Sequence, residues 1–381
     1  MKILYLIKSF AVKAGTERVM SEKMNWLAAN GYNIVLVTYE QGDHPFAFQL
    51  DSSIRYYDLA TRFFDLGRFN LVSRCFKYYE RRKQFGKRLQ LIVDKESPDF
   101  IISTTYSGLL LNIILRIKTD ACRLLESHSV YRTFWKATNY RNHIVLFALY
   151  SAYDRAFLKS VKGFDEMVTL TSADANMWKS HVNHVTIIPN PIPYIPKTLP
   201  KLSDNHRIIC AGRLENEKGF DLLIEAFSLI ASQCGDWHID IYGDGGEKER
   251  LRQMISAKCL EDKVRLCCPT SQIFSEYMQS NLFVLSSRNE GFGLVLLEAM
   301  SCGLACVSFD CPFGPAEIIE NGENGLLARN GDVKHLSEQM LWMIEHPIER
   351  EQMGRAARQS VMRYDKDVIM QKWVSLFKSY M

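Results

Sequence analysis

Glu290 and Glu298 flank a glycine-spaced corner within residues 283–303, FVLSSRNEGFGLVLLEAMSCG. Gly291, Phe292, Gly293 and Leu294 make the turn into an apolar run. A helix that begins straight after a strand and a short turn leaves its first amide N–H groups unpaired and its positive dipole end open. Missing side chains at Gly291 and Gly293 let an anion approach that backbone. Glu298 lies inside LVLLEAM, where a carboxylate is costly to bury unless it finds partners, and ligand hydroxyls would serve. A phosphate cradle beside two acids suited to hydroxyl groups is what a sugar nucleotide requires. The plainer alternative makes Glu290 the neighbour of a helix cap and Glu298 a core acid satisfied from within.

Two further groups fit the same chemistry. The segment GRLENEKG, residues 212–219, holds Arg213 and Lys218 in a glycine-punctuated turn before an expected helix. Fixed cations facing a helix N-terminus suit a diphosphate, Arg as a planar fork and Lys as a compact charge. The alternative is a surface Arg and a surface Lys. His128 ends LLESH, an expected strand at 124–128. A side chain at the carboxyl end of a parallel strand points toward the ligand crevice, and imidazole bonds both hydroxyls and phosphates. The alternative is a loop or helix-cap histidine.

Strands and helices must hold these groups in place. The run 2–7 reads as the first strand of a parallel sheet, 17–30 as a helix closed by Gly31, and 33–38 as the second strand. Further strands are expected at 99–103, 167–170, 185–188, 207–211, 238–242, 264–267, 283–285 and 305–310. Helices are expected at 106–115, 172–179, 220–231, 273–279 and 366–380. Four prolines between Pro189 and Pro196 mark a stiff linker. This is a doubly wound α/β pattern in two domains. The first turn has no G-x-G-x-x-G, which argues against a nicotinamide cofactor.

A chain of 381 residues, 47% hydrophobic and 24% charged, has an ordinary globular composition. The opening MKILYLIKSF lacks a cleavage site of small residues, so no secretory leader is expected. No stretch is long and apolar enough to span a bilayer. The ten cysteines are scattered without a C-x-x-C pair, which predicts reduced, buried thiols and no metal cluster. Residues 1–190 carry 26 Lys and Arg against 17 Asp and Glu, and the remainder 21 against 26. The basic half is expected to face an anionic partner. Its focus is 63–91, where Arg81, Arg82, Lys83, Lys87 and Arg88 alternate with aromatics. That mixture suits a helix on anionic lipid, or a core helix with a solvated basic face. No nucleic-acid motif accompanies it.

The spacing of Glu290 and Glu298 around GFG resembles the two-glutamate motif of the retaining GT-B glycosyltransferases, in particular glycosyltransferase family four. GRLENEKG is similar to that family's G-R-L-x-x-E-K-G, and GDGGEKERL, with Asp244, to its G-D-G-P turn. AGTERV resembles the family's first glycine loop, except that Ala14 replaces one glycine and leaves Gly15 for close approach. IPNPI, GPAEII and ENGLL resemble the domain junction and the segments closing the nucleotide site.

The resemblance implies two Rossmann-like domains facing across a cleft. An acceptor domain would span 1–190 and a nucleotide-sugar domain 191–365, with 366–381 crossing back. It implies retaining transfer of a hexose from a UDP-linked sugar to a saccharide acceptor, expected to be lipid-linked, in polysaccharide or oligosaccharide assembly. His128, Glu290, Arg213 and Lys218 would serve the reaction. Gly15, Asp244, Gly291, Phe292, Gly293, Leu294 and Glu298 would complete the donor site. No cofactor or divalent metal is implied. The protein is expected in the cytoplasm, peripheral to the inner face of an anionic membrane. A sugar-nucleotide epimerase and a non-enzymatic sugar-nucleotide scaffold are the alternatives. No side chain stands out as a nucleophile, so double displacement and same-face attack both remain open.

Overall fold

A computed structural model describes residues 1–128, 143–198 and 205–381. The chain divides into two compact units, Met1–Ile188 with Met370–Met381, and Pro189–Ile369. Each is built on one parallel sheet.

In the first unit the strands are β1 (Lys2–Ile7), β2 (Asn33–Thr38), β3 (Arg55–Asp58), β4 (Phe100–Thr104), β5 (Cys122–Glu126), β6 (Glu166–Thr169) and β7 (Val185–Ile187). Their order is β3-β2-β1-β4-β5-β6-β7, all pairs parallel. The helices are α1 (Gly15–Ala29), α2 (Leu71–Glu96), α3 (Leu111–Ile114), α4 (Ile144–Val161) and α5 (Ser172–Trp178). The central strands are buried on both faces, so they read as unbroken apolar runs, whereas β3 (RYYD) is a half-exposed edge.

The second unit orders its strands β10-β9-β8-β11-β12-β13. These are β8 (Arg207–Ala211), β9 (His238–Tyr242), β10 (Val264–Cys267), β11 (Leu282–Leu285), β12 (Ala305–Asp310) and β13 (Leu326–Arg329). Around them run α6 (Phe220–Ile230), α7 (Lys248–Ala257), α8 (Ile273–Met278), α9 (Leu294–Ser301), α10 (Pro315–Ile318), α11 (Val333–Glu345) and α12 (Pro347–Val361). The final helix α13 (Lys366–Lys378) starts in this unit and joins the first from Met370 onward. There Phe377 packs on Phe100, and the Tyr380 hydroxyl donates to Glu166 Oε2 at 2.8 Å.

In doubly wound sheets ligands bind outside the carboxyl ends of the strands where the strand order reverses. The reversal falls between β1 and β4 in the first sheet and between β8 and β11 in the second. The loop after β8 carries Arg213 and Lys218, and the loop after β11 carries Glu290.

Three expectations need correction. The basic stretch is not one helix: a 3-10 turn, Phe63–Arg68, precedes α2, whose start is capped by Asn70 accepting from the Ser73 amide. Residues 106–115 are not one helix either. A 3-10 segment, Thr105–Leu110, kinks at Gly108 before α3. The strand expected at 124–128 stops at Glu126, so His128 lies just past its end.

Candidate functional site

The loops after β8 and β11 touch backbone to backbone. Gly219 is left-handed (φ 62°), and a Cβ there would lie 2.1 Å from the Ser286 carbonyl oxygen, so only glycine fits. The Ser286 hydroxyl donates to the Lys218 carbonyl at 3.1 Å, and the Arg288 amide to the Glu217 carbonyl at 2.9 Å. Arg288 also makes a two-pronged bond to Asp221 in the first turn of α6, 2.8 Å at each prong. Against burial, those bonds, with others from Arg250, hold the Asp221 carboxyl down at about 2. The outcome is a rigid frame joining two loops about 70 residues apart.

Within that frame Glu290 is buried, and its Oε1 accepts from Lys218 Nζ at 2.7 Å and from Ser287 Oγ at 2.6 Å. Gly293 (φ 98°) takes the N-cap position of α9, with no side-chain cap. The first amides, from Leu294, are therefore left to an outside acceptor. Gly291 precedes them, and Phe292 is buried edge-on against Tyr364, 5.5 Å away. Glu298 is buried on α9, and its Oε2 accepts from the Tyr277 hydroxyl at 3.5 Å. Part of its partnership is thus internal.

Two expected donor-site residues stand differently. Arg213 is 69% exposed and pairs with Glu217 at 2.5 Å, so it is a surface cation beside the frame. The Asp244 side chain is exposed and pairs with Lys248 at 3.2 Å, while its carbonyl accepts from Leu214. Its contribution to this site runs through the backbone, which fixes the loop after β8.

In the first unit, His128 lies two residues past β5 and Gly15 opens α1. The imidazole Nε2 of His128 lies 2.9 Å from Glu126 Oε2, and both side chains are almost fully buried. Glu126 in turn accepts from the buried ammonium of Lys23 on α1. Burial alone would push the Glu126 carboxyl up, but the Lys23 charge and the His128 hydrogen bond hold it at about 2. Sequence reading missed Glu126, Lys23, Ser287 and Tyr277. A signal for the first two was present. Glu126 is two residues from His128 in the strand expected at 124–128 and would share its face there, and Lys23 falls on the buried stripe of Met20, Met24 and Leu27.

The Asp-x-Asp triplet at Asp365 to Asp367 opens α13, where the Asp367 amide donates to Asp365 Oδ1. Among the described residues no group of three or more His, Cys, Asp or Glu is arranged to hold a metal ion. A groove of about 630 Å³ lined by Asp99, Lys118, Cys122 and Tyr380 lies at the amino ends of β4 and β5, the end of the sheet opposite to His128.

The chain matches two family models in succession: Glycosyltransferase Family 4 over residues 14–194 and Glycosyl transferases group 1 over residues 193–360. It is 27% identical over 374 residues to an uncharacterized glycosyltransferase of Haemophilus influenzae, covering 98% of both chains. It is 26% identical over 380 residues to the amylovoran biosynthesis glycosyltransferase AmsD of Erwinia amylovora, again with 98% of both covered. The crystal structure of Anabaena HepE with UDP superposes with a TM-score of 0.75 at 18% identity, covering 100% of each chain, a likeness of fold. Two parallel sheets of this order, each matched by its own half of the family, place the chain among the family four glycosyltransferases with the GT-B fold.

Proposed function

We propose that the protein transfers a hexose from UDP, with retention, to a hydroxyl of a lipid-linked saccharide during polysaccharide assembly. The observation that carries this reading is the Lys218–Glu290–Ser287 cluster beside the uncapped start of α9, at the strand-order reversal of the second sheet. A diphosphate placed there would meet the α9 amides and the Lys218 ammonium, with Arg213 at its outer edge. As the bond between the anomeric carbon and the phosphate oxygen breaks, charge grows on that oxygen, where cations and amides already point. The acceptor oxygen forms the new bond to the anomeric carbon, and its proton passes to the departing diphosphate, whose oxygen has gained the charge. Glu298 would take the ribose hydroxyls and Glu290 the sugar ring, and in the first unit His128 would serve a substrate hydroxyl. HepE has been solved with UDP, and AmsD is named for amylovoran biosynthesis, which supports the donor and the pathway type. No step is assigned to a divalent metal.

The membrane part of this reading rests on exposed apolar side chains of the basic unit. Val72, Phe76 and Tyr79 stand out from the first half of α2, and Ile144, Val145 and Leu149 from the start of α4. Arg81, Arg82 and Arg88, expected to face lipid, and Arg74 of the same stretch are engaged within the unit. Arg74, Arg81, Arg82 and Arg88 donate to backbone carbonyls of neighbouring loops. Lys83 and Lys87, exposed on α2, and Arg68 before it would supply lipid-facing charge. Among the described residues no helix is long and apolar enough to cross a membrane.

One assay tests the whole. Wild type and Lys218→Ala are given UDP-sugars and a lipid-linked saccharide in anionic vesicles, or a soluble analogue, with chelator present. We expect product with retained configuration, faster on vesicles, and a loss of ~10²–10³ in rate for Lys218→Ala. Wild-type turnover in the variant would sink the site, and donor turnover without acceptor would point to an epimerase.

A further inference from the structure

His128 has a support that the reaction as described does not use. Glu126 ends β5 and His128 lies two residues beyond it, where the carboxylate meets Nε2 of the ring at 2.9 Å. The other carboxylate oxygen is taken by Lys23, whose ammonium sits 3.9 Å from the centroid of Trp373 and 5.1 Å from that of Tyr5. The side chains of Lys23, Glu126 and His128 are 3%, 3% and 4% exposed. A charge pair removed from water this far needs its lone pairs and protons satisfied. Here the satisfaction comes from two aromatic faces at one end and an imidazole N–H at the other.

The ring's second nitrogen is treated differently. His128 Nδ1 is buried and has no hydrogen-bond partner among the described residues. Oε2 of Glu17, in the first turn of α1, is likewise buried without a partner. Burial pushes the Glu17 carboxyl up, against its backbone hydrogen bond and the nearby His128. An ionised carboxylate only accepts, so in the neutral ring it fixes the proton on Nε2 and leaves Nδ1 as a bare acceptor.

We propose that Glu126 is a positioning residue, neutralised by Lys23 and sealed by Trp373 of the C-terminal helix, which sets His128 to accept a hydrogen bond from a substrate hydroxyl at Nδ1. The role of His128 itself rests on the proposed function above. The positioning does not, because it is a property of the first unit alone. Trp373 enters that unit from the last helix, so the end of the chain helps hold a histidine just past the end of the fifth strand.

The test uses the full chain labelled with ¹⁵N-histidine, His128 being assigned by its loss in His128→Gln. In wild type we expect a protonated Nε2 and a bare Nδ1. In Glu126→Gln, and in Lys23→Met with Glu126→Gln should the single variant not fold, the two nitrogens should move toward the values of a mixed-tautomer ring. Unmoved shifts in the variant overturn the proposal. Kinetics separate positioning from a merely structural role. Glu126→Gln should lower kcat tenfold or more with donor KM within twofold, and should have no further effect in a His128→Ala background. Equal losses in both backgrounds would overturn the proposal. Wild-type turnover of His128→Ala would instead remove the functional reading of His128 and leave the tautomer result to stand or fall alone.

Discussion

The 189–369 unit holds its candidate groups by close backbone fit, with Gly219 against Ser286, Gly293 at the head of α9, and one salt-bridge clamp from Arg288 to Asp221. The unit of 1–188 and 370–381 holds His128 by a buried chain of charge, from Trp373 through Lys23 to Glu126. The two solutions would suit the tasks proposed for them. A diphosphate is bound by amides and cations, which need a fixed backbone and tolerate little side-chain variety. A single imidazole needs orientation and a defined proton, which a buried carboxylate supplies. The first solution leaves dense local motifs, and the second scatters its parts along the chain.

The comparison breaks most severely at the charge chain. Glu126→Gln leaves the Lys23 ammonium buried without its counter-ion, at a cost of ~3–5 kcal/mol, while adding Lys23→Met should recover most of it. Chemical unfolding followed by circular dichroism checks this. The same pair predicts a pH signature. The Glu126 carboxyl is held at about 2, below its ordinary 4.5, so its stabilisation is complete above pH ~4.5 and is lost as pH falls toward ~2. The acid limb of the wild-type unfolding curve should therefore flatten in Glu126→Gln. A limb of unchanged slope would mean that Glu126 is not the group titrating there.

A smaller effect belongs to the backbone fit. Gly219→Ala places a Cβ in left-handed backbone, costing ~1–2 kcal/mol, and pushes it against the Ser286 carbonyl. The fold should survive while the loop after β11 shifts, so melting temperature should fall by a few degrees and UDP affinity by a larger factor. A variant that loses stability but keeps full UDP affinity would show that the two loops need not touch for binding.

How legible each part was follows from the same physics. Strands such as Lys2–Ile7 and Ala305–Asp310 are buried on both faces and stand out as apolar runs. The edge strand Arg55–Asp58 and the polar helix Lys248–Ala257 carry no such signal and were not foreseen. The start of α4 is apolar on all sides, so no period marks it. In the second unit the loops after β8 and β11 announce Arg213, Lys218 and Glu290 by their glycines. In the first, Lys23 reads as a polar position of an ordinary helix until Glu126 and Trp373 are brought beside it by the sheet and by the last helix. The basic run of α2 misled for a related reason. Arginine count says nothing about which guanidinium groups are already spent on carbonyls.

The central claim is that the second unit holds a nucleoside diphosphate between Lys218 and the head of α9, with Glu298 on the ribose. Isothermal calorimetry of UDP binding to the full chain tests it most directly, with wild type, Lys218→Ala and Glu298→Gln compared. Both variants should bind at least tenfold more weakly, with Glu298→Gln melting within a few degrees of wild type. Unchanged UDP affinity in both, with a loss of stability in Glu298→Gln, would make Glu298 a core acid held by Tyr277 and contradict the account.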